Sequence, residues 1–295
     1  MLGRPAIAVI IATSCEAKRE AAIWRAIDSA LTQGDVTVEL IVVVNGARFD
    51  RPLLDRLRSH PRLAVHYREE GSYPAAVAHG RTLVATEFFA YLDDDDEYLP
   101  GALCIRAAPM LEDPAIDFVA TTGYLNSGAG DVIAYRPRAN LEQEALKELL
   151  RANWMQPCGH LFRSSSVTLD YFDAKTKYYE WTLLAFKLAM TRTLRFLDVP
   201  TYRKHDSPES LYKSPGVTEG AVAASELMMA LDTSHQVRGR LIELRAGALH
   251  ATSDSYRLSG DYWRAWRFHL RSLRHRAGWK HLAYTRYLLL PGRKA

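Results

Sequence analysis

Five consecutive carboxylates, Asp93-Asp94-Asp95-Asp96-Glu97, stand directly after the hydrophobic run Glu87–Leu92. Adjacent carboxylates repel one another, and a solvated acidic turn is the plain reading of such a run. Its place at the end of a strand pattern favours a chemical reading. Hard divalent cations take oxygen ligands, and Mg2+ is typically held by one or two carboxylates plus substrate phosphates. Alternate residues leaving a strand can point at one ion, so Asp93 and Asp95 are the natural pair. A second group is Tyr202-Arg203-Lys204-His205-Asp206-Ser207, with Ser210-Leu211-Tyr212-Lys213 behind it. Arg203, Lys204 and Lys213 suit phosphate charge, and His205 is either a metal ligand or an exposed side chain. Ser210-x-x-Lys213 also has the spacing of a β-lactamase-type nucleophile pair, on residues too common to weigh much. In Tyr178-Tyr179-Glu180-Trp181, Glu180 is either a base for a hydroxyl proton or an acid favoured by a helix N-terminus.

The elements that must position these groups are legible as alternating patterns. Ala6–Ala12 and Val38–Val44 are continuous β-branched runs, the signature of strands buried on both faces. The spacing predicts a helix over Glu20–Gln33, stopped at Gly34-Asp35, and another from Pro74 to about Ala85. Leu63–His66 is a weaker third strand and Glu87–Leu92 a fourth. Strands and helices in this alternation argue for βαβ units and a mostly parallel sheet, whose ligands lie beyond the carboxyl ends of the strands. The loops Thr13–Glu16, Asn45–Ala47 and Asp93–Glu97 fall at those ends. Asp117–Thr122, Asp131–Arg136 and Cys158–Arg163 read as further extended pieces, Leu141–Leu150 and Tyr179–Ala189 as helices. From Glu219 onward only helical patterns appear. The Ser-, Pro- and Gly-rich stretch Ser207–Gly216 marks a boundary.

In this order and spacing, AVIIAT, LIVVVNGA and EEGSYPAAVAHGRTLVATEFFAYLDDDDEYLP resemble the GT-A glycosyltransferases of family 2 over about residues 6–212. The resemblance implies a Rossmann-like, mostly parallel α/β sheet flanked by helices. It also implies sugar transfer, with inversion, from a nucleotide diphosphate to an acceptor hydroxyl, with Mn2+ or Mg2+. Asp93-x-Asp95 falls on the family's DxD motif. By the same resemblance Asp95, Asp93, Asp96 and His205 hold the metal. Thr13, Glu16, Asn45, Gly71, Arg81, Asp93, Asp94, Arg203 and Lys213 hold the donor, Glu180 is the base, and Trp181, Tyr179 and Gln156 face the acceptor. The chain departs from the family pattern at Ala12, where Pro is usual, at Val44-Asn45, where an Asp is usual, and at His79, where an Asn is common. Sugar, nucleobase and acceptor stay open.

Composition bounds the reading. The chain has 295 residues and a net charge of +4, too mild to mark a nucleic-acid binder. Residues 257–295 carry ten basic side chains against Asp261 alone, leaving the first 256 at −5. Cys15, Cys104 and Cys158 are too few and too scattered for a disulfide scaffold or a zinc site, and fit a reducing compartment. The N-terminus reads as a buried strand and not a signal peptide. No apolar stretch approaches the ~18 residues of a membrane span. Dinucleotide, P-loop, G-x-S-x-G and H-E-x-x-H motifs are absent. The expectation is therefore a GT-A catalytic domain over 1–215, with a donor half to about 122 and an acceptor half beyond it. A basic α-helical extension over 216–295 follows.

In that extension Trp263, Trp266 and Leu270 form an apolar stripe beside Arg264, Arg267, Arg271 and Arg274. This suits either packing on the catalytic domain or an anionic membrane surface, with nucleic acid not expected. The enzyme is expected in the cytoplasm, peripheral to the inner membrane face, acting on a glycan or lipid-linked acceptor in surface glycan or polysaccharide synthesis. The rival readings are a sugar-1-phosphate nucleotidyltransferase and a non-catalytic membrane-surface module.

Overall fold

The computed structural model describes residues 4–128, 130–172, 176–206, 216–231 and 233–289. Strand β1 (Ala6–Thr13) lies at the centre of the molecule's main core, with Ile7 through Ile11 fully buried. Each such aliphatic side chain contributes about 1.5–3 kcal/mol by leaving water. Helix α1 (Glu20–Leu31) buries Ile23, Ala26, Ile27 and Ala30 on one face. Strand β2 (Thr37–Asn45) leads to helix α2 (Arg51–Ser59), then strand β3 (Leu63–Arg68), helix α3 (Tyr73–Thr82) and strand β4 (Phe88–Tyr91). Asp50 and Ser72 cap α2 and α3 by accepting backbone N–H bonds from Leu53 and Ala75. The acidic run ends in strand β5 (Glu97–Tyr98), followed by helix α4 (Ala102–Glu112), strands β6 (Phe118–Asn126) and β7 (Asp131–Ile133), and helix α5 (Leu141–Arg151). Strand β8 (His160–Arg163), helix α6 (Glu180–Thr191) and strand β9 (Leu194–His205) complete the α/β part.

The sheet runs β3-β2-β1-β4-β8-β6-β9-β5, with β7 also on β6. Its first four strands are mutually parallel, as the alternation predicts. Strand β8 is antiparallel to both β4 and β6, while β6 and β9 pair in parallel across register shifts at Thr121–Tyr124. The sheet is thus parallel in one half and mixed in the other.

The chain forms two compact units, 1–175 with 184–208, and 176–183 with 209–295. The expectation placed one boundary at 215; in this division 176–183 groups with the C-terminal residues. The reason is local: Tyr178 packs where a side chain on Gly216 would lie, and the Lys177 carbonyl and Tyr178 ring do the same at Gly220. The second unit contains helices α7 (Val217–Ala230), α8 (His235–Leu258), α9 (Tyr262–Leu273) and α10 (Thr285–Leu289), with a 3-10 segment over Arg276–Tyr284. Among the described residues no helix is long and apolar enough to cross a membrane.

Candidate active site

Strand β1 pairs with β2 on one edge and β4 on the other, so the chain diverges in two directions from its carboxyl end. Open α/β sheets bind ligands at such a point. Three expected residues stand there. Thr13 ends β1 and accepts the Cys15 N–H at 2.9 Å through its hydroxyl. Asn45 ends β2 and donates its amide to the Thr13 carbonyl at 3.2 Å. Gly71 lies against Gly46, which has φ +89°, and a Cβ on Gly46 would sit 3.2 Å from the Gly71 Cα. Two backbones approach closely there, and glycine at both places permits it. Glu16 lies between Lys18 and Arg48, at 3.5 and 3.7 Å.

The acidic run follows β4, and three cations from elsewhere in the fold offset part of its charge. Arg19 forks onto the buried Asp94 and reaches Asp95 at 3.2 Å. Lys204 stands 3.9 Å from Asp93 and 3.7 Å from Asp96. Arg203 bonds Glu97 at 2.6 Å and Asp131 through two nitrogens. Neutral donors complete the set. The Tyr73 hydroxyl donates to Asp93 at 2.6 Å, the His205 backbone N–H to Asp96 at 3.1 Å, and the Cys158 thiol to Asp96 at 3.5 Å. Arg25 donates to the Asp95 carbonyl at 2.6 Å.

Burial still leaves Asp93, Asp94 and Asp96 expensive to ionise. It raises Asp93, with Lys204 opposing, and it raises Asp94 against the pull of Arg19. Asp96 is pushed up to about 7 by burial, with Lys204 working against it and Asp93 and Asp95 adding to it. Carboxylates held this way have room for further positive charge. Asp93, Asp95 and Asp96 each bring an oxygen within 4.8 Å of the others, the one such grouping of potential ligands among the described residues. Three hard oxygen donors fit a divalent cation, and the Lys204 ammonium beside two of them would compete with it. His205 is outside this trio: its Nε2 is 3.3 Å from Glu97.

Other expected residues fall elsewhere. Arg81 is not directed at the donor crevice. It donates to the Ser164 and Val167 carbonyls at 2.7 and 3.1 Å and stacks 4.5 Å over Phe89, tying α3 to the chain beyond β8. Arg203 is saturated by its two carboxylates and does not present a free charge to phosphate. Trp181 is 2% exposed, so it is a core side chain and offers no ring face to a sugar. Tyr179 is half-buried, and its carbonyl accepts the Leu183 N–H at 2.9 Å. Glu180 opens α6 with its side chain half-buried. Gln156 accepts from Lys204 at 3.5 Å and so joins the acidic cluster. Lys213, with Ser207, Ser210, Leu211 and Tyr212, lies outside the described residues.

Sequence reasoning missed Arg19, Tyr73 and Arg106. The fully buried Arg106 guanidinium bonds Thr201 at 2.6 Å and the Cys158 and His160 carbonyls at 2.7 and 3.2 Å, and lies 4.8 Å over the Tyr98 ring. It fastens β9 and the Cys158 turn behind Asp96. An Arg inside the apolar pattern of α4 was the available signal.

A sheet opening at the carboxyl ends of β1 and β4, with an acid cluster at its lip, is the GT-A architecture of glycosyltransferases that use nucleotide sugars. The profile of the glycosyl transferase family 2 matches residues 8–168, and the chain belongs to that family. Among solved structures it is similar to S. aureus TarS 1–349 in complex with UDP-GlcNAc. That match has TM-score 0.61 and 17% identity, covering 86% of this chain and 75% of that one. It is also similar to TarS 1–349 in complex with UDP, with TM-score 0.58 and 15% identity over 88% and 75% of the two chains. No curated protein matches the chain.

Proposed function

We propose that this glycosyltransferase moves a sugar with inversion from a nucleoside diphosphate to an acceptor hydroxyl, using Mn2+ or Mg2+ at Asp93, Asp95 and Asp96. The observation that carries the metal assignment is the convergence of those three carboxylates within 4.8 Å at the end of β4. The cation, when bound, supplies Lewis-acid stabilisation of the diphosphate leaving group. Thr13, Glu16 and Asn45 line the donor crevice, and the bare Gly46 and Gly71 backbones let a flat ligand approach. Glu180 takes the acceptor proton as the hydroxyl oxygen bonds to the anomeric carbon. The C–O bond to the diphosphate breaks and its electron pair leaves with the nucleotide. His205, through its bond to Glu97, orients the rim of the cluster. Because TarS holds UDP-GlcNAc, UDP-sugars are the first donors to try. The acceptor class is a surface glycan or polysaccharide precursor presented at the inner membrane face.

Nucleotide release from UDP- and GDP-sugars, with Mn2+, Mg2+ or chelator, tests the reading. Metal-dependent release of a nucleoside diphosphate is expected. Pyrophosphate formation from a sugar phosphate would make the chain a nucleotidyltransferase. Metal-independent turnover would remove the cation from the mechanism.

A further inference from the structure

Helix α9 presents two opposite faces. Ala265, His269 and Ser272 are fully buried on one. On the other, Trp263, Arg267, Leu270 and Arg274 follow at intervals of four, three and four residues and form a single exposed line. Trp266, expected on the apolar stripe, is turned inward against the Ala265, Tyr284 and Leu288 cluster, so its place on the exposed line passes to Arg267. Trp263 is 72% exposed and Leu270 55%. The 3-10 segment continues this surface. The Trp279 indole N–H is held by the Leu273 carbonyl at 3.1 Å, at the end of α9, and its ring is 54% exposed, as is Leu282 at 53%.

Charge is as one-sided as the apolar exposure. Residues 262–289 contain seven Arg and Lys and no acid. Arg264, Arg267, Arg274, Arg276, Lys280 and Arg286 are exposed. Two of these guanidiniums lie over the exposed indoles, Arg267 at 5.9 Å from Trp263 and Arg276 at 5.9 Å from Trp279. Large apolar side chains left in water need an explanation when they cluster.

We infer that this face of α9, with Trp279 and Leu282, is a docking surface for an anionic lipid bilayer. It deepens the membrane-proximal part of the proposed function and is independent of the chemistry at the acidic run. Indole rings settle where a bilayer offers both hydrocarbon and water, and arginine beside them meets lipid phosphate. A second copy of the chain fits poorly: apart from Asp261 paired with Arg264 and Glu226 paired with Arg271, the surface is basic, and a two-fold contact would set it against itself. Nucleic acid would take the arginines but give Leu270 and Leu282 nothing to enter.

Flotation of the full chain tests this, with vesicles of phosphatidylcholine alone and with about one-third phosphatidylglycerol, at low and high salt. Binding is expected to the anionic vesicles and to fall as salt rises. Each basic residue at an anionic surface is worth about fivefold in partition. Arg267→Gln with Arg274→Gln should therefore weaken it by roughly 25-fold. Trp263→Ala with Leu270→Ala should weaken it at both salt levels. Arg51→Gln with Arg58→Gln, an equal charge loss on exposed α2, should leave it unchanged. Three outcomes overturn the inference: no flotation, equal loss from the α2 control, or a wild-type dimer that the α9 changes dissolve. Nucleotide release measured without vesicles on the same proteins reports the catalytic reading separately.

Discussion

The Lys204 ammonium lies 3.7 Å from the Asp96 carboxylate and reaches Asp93 from the same position, so β9 lends a cation to the loop that follows β4. At such a separation the attraction is several kcal/mol before desolvation is subtracted. The lysine would therefore compete with a divalent ion for two of the three carboxylates proposed to hold it.

Replacing Lys204 with Met should tighten Mn2+ binding roughly tenfold, about 1.4 kcal/mol. Calorimetric titration of the nucleotide-free protein measures it. Unchanged or weaker metal affinity would show that the ammonium supports the site and does not compete for it.

Asp95→Ala should abolish metal-dependent nucleotide binding and turnover, while the melting temperature without ligands stays near that of the parent. Asp95 lies among the trio and shares Arg19 with Asp94. A variant whose thermal shift by UDP still depends on Mn2+ would remove it from the site.

Glu180→Gln is nearly isosteric but accepts no proton. Turnover should fall by about 10²–10⁴ with nucleotide affinity retained. If turnover holds, Asp170 is the next acid to test. Asp173, the other nearby carboxylate in sequence, lies outside the described residues.

The Tyr202 ring is gripped between two glycines. A Cβ on Gly123 would lie 2.5 Å from three of its ring atoms, and one on Gly159 would lie 2.8 Å from another. Because Tyr202 precedes Arg203, Lys204 and His205, Gly123→Ala should cost about 1–3 kcal/mol by overpacking. It should also shift metal affinity in the same protein. Urea denaturation alongside calorimetry reads both, and a stable variant with parental affinity would show that the ring can yield.

His160 is fully buried and stacks on Phe162, and burial, with Arg106 adding, drives its pKa down to about 3 from an ordinary value near 6.5. The unfolded chain takes a proton there that the folded chain refuses. Stability should therefore fall as pH drops below about 6.5, by up to about 1.4 kcal/mol per pH unit from this group, until its folded pKa is reached. His160→Phe should flatten that part of the profile in denaturation series between pH 7 and 4, about where the refusal operates. A parallel profile would assign the acid sensitivity to other groups.

The parallel half of the fold was legible because β1 and β2 are uninterrupted β-branched runs closed by turn residues, a pattern that burial on both faces requires. Helix α2 escaped notice because its apolar face is only Leu53, Leu54 and Leu57 within a charged segment. Strand β9 did so because Leu194–His205 is mostly half-exposed, carries Pro200, and owes its conformation to pairing with β6. In the site, the acidic run and its position could be read directly. The partial offset of its charge could not, since Arg19, Lys204 and Arg203 reach it from opposite ends of the catalytic fold, and only the folded chain brings such partners together. Arg81 and Trp181 show the converse: a matching position in a motif does not say whether the side chain faces a ligand or the core.

Strand β8, four residues long, stitches the parallel half of the sheet to the half that contains β9. During synthesis the first half emerges with all five carboxylates and Arg19, while Lys204 and Arg203 are still about a hundred residues from completion. At ribosomal speeds of about 5–20 residues per second, that interval lasts roughly 5–20 s. For that time the nascent chain carries a concentrated negative charge with most of its counter-ions unmade. Docking of β9 then both extends the sheet and brings these two cations to the loop, so completing this half of the sheet also completes the charge balance of the candidate site.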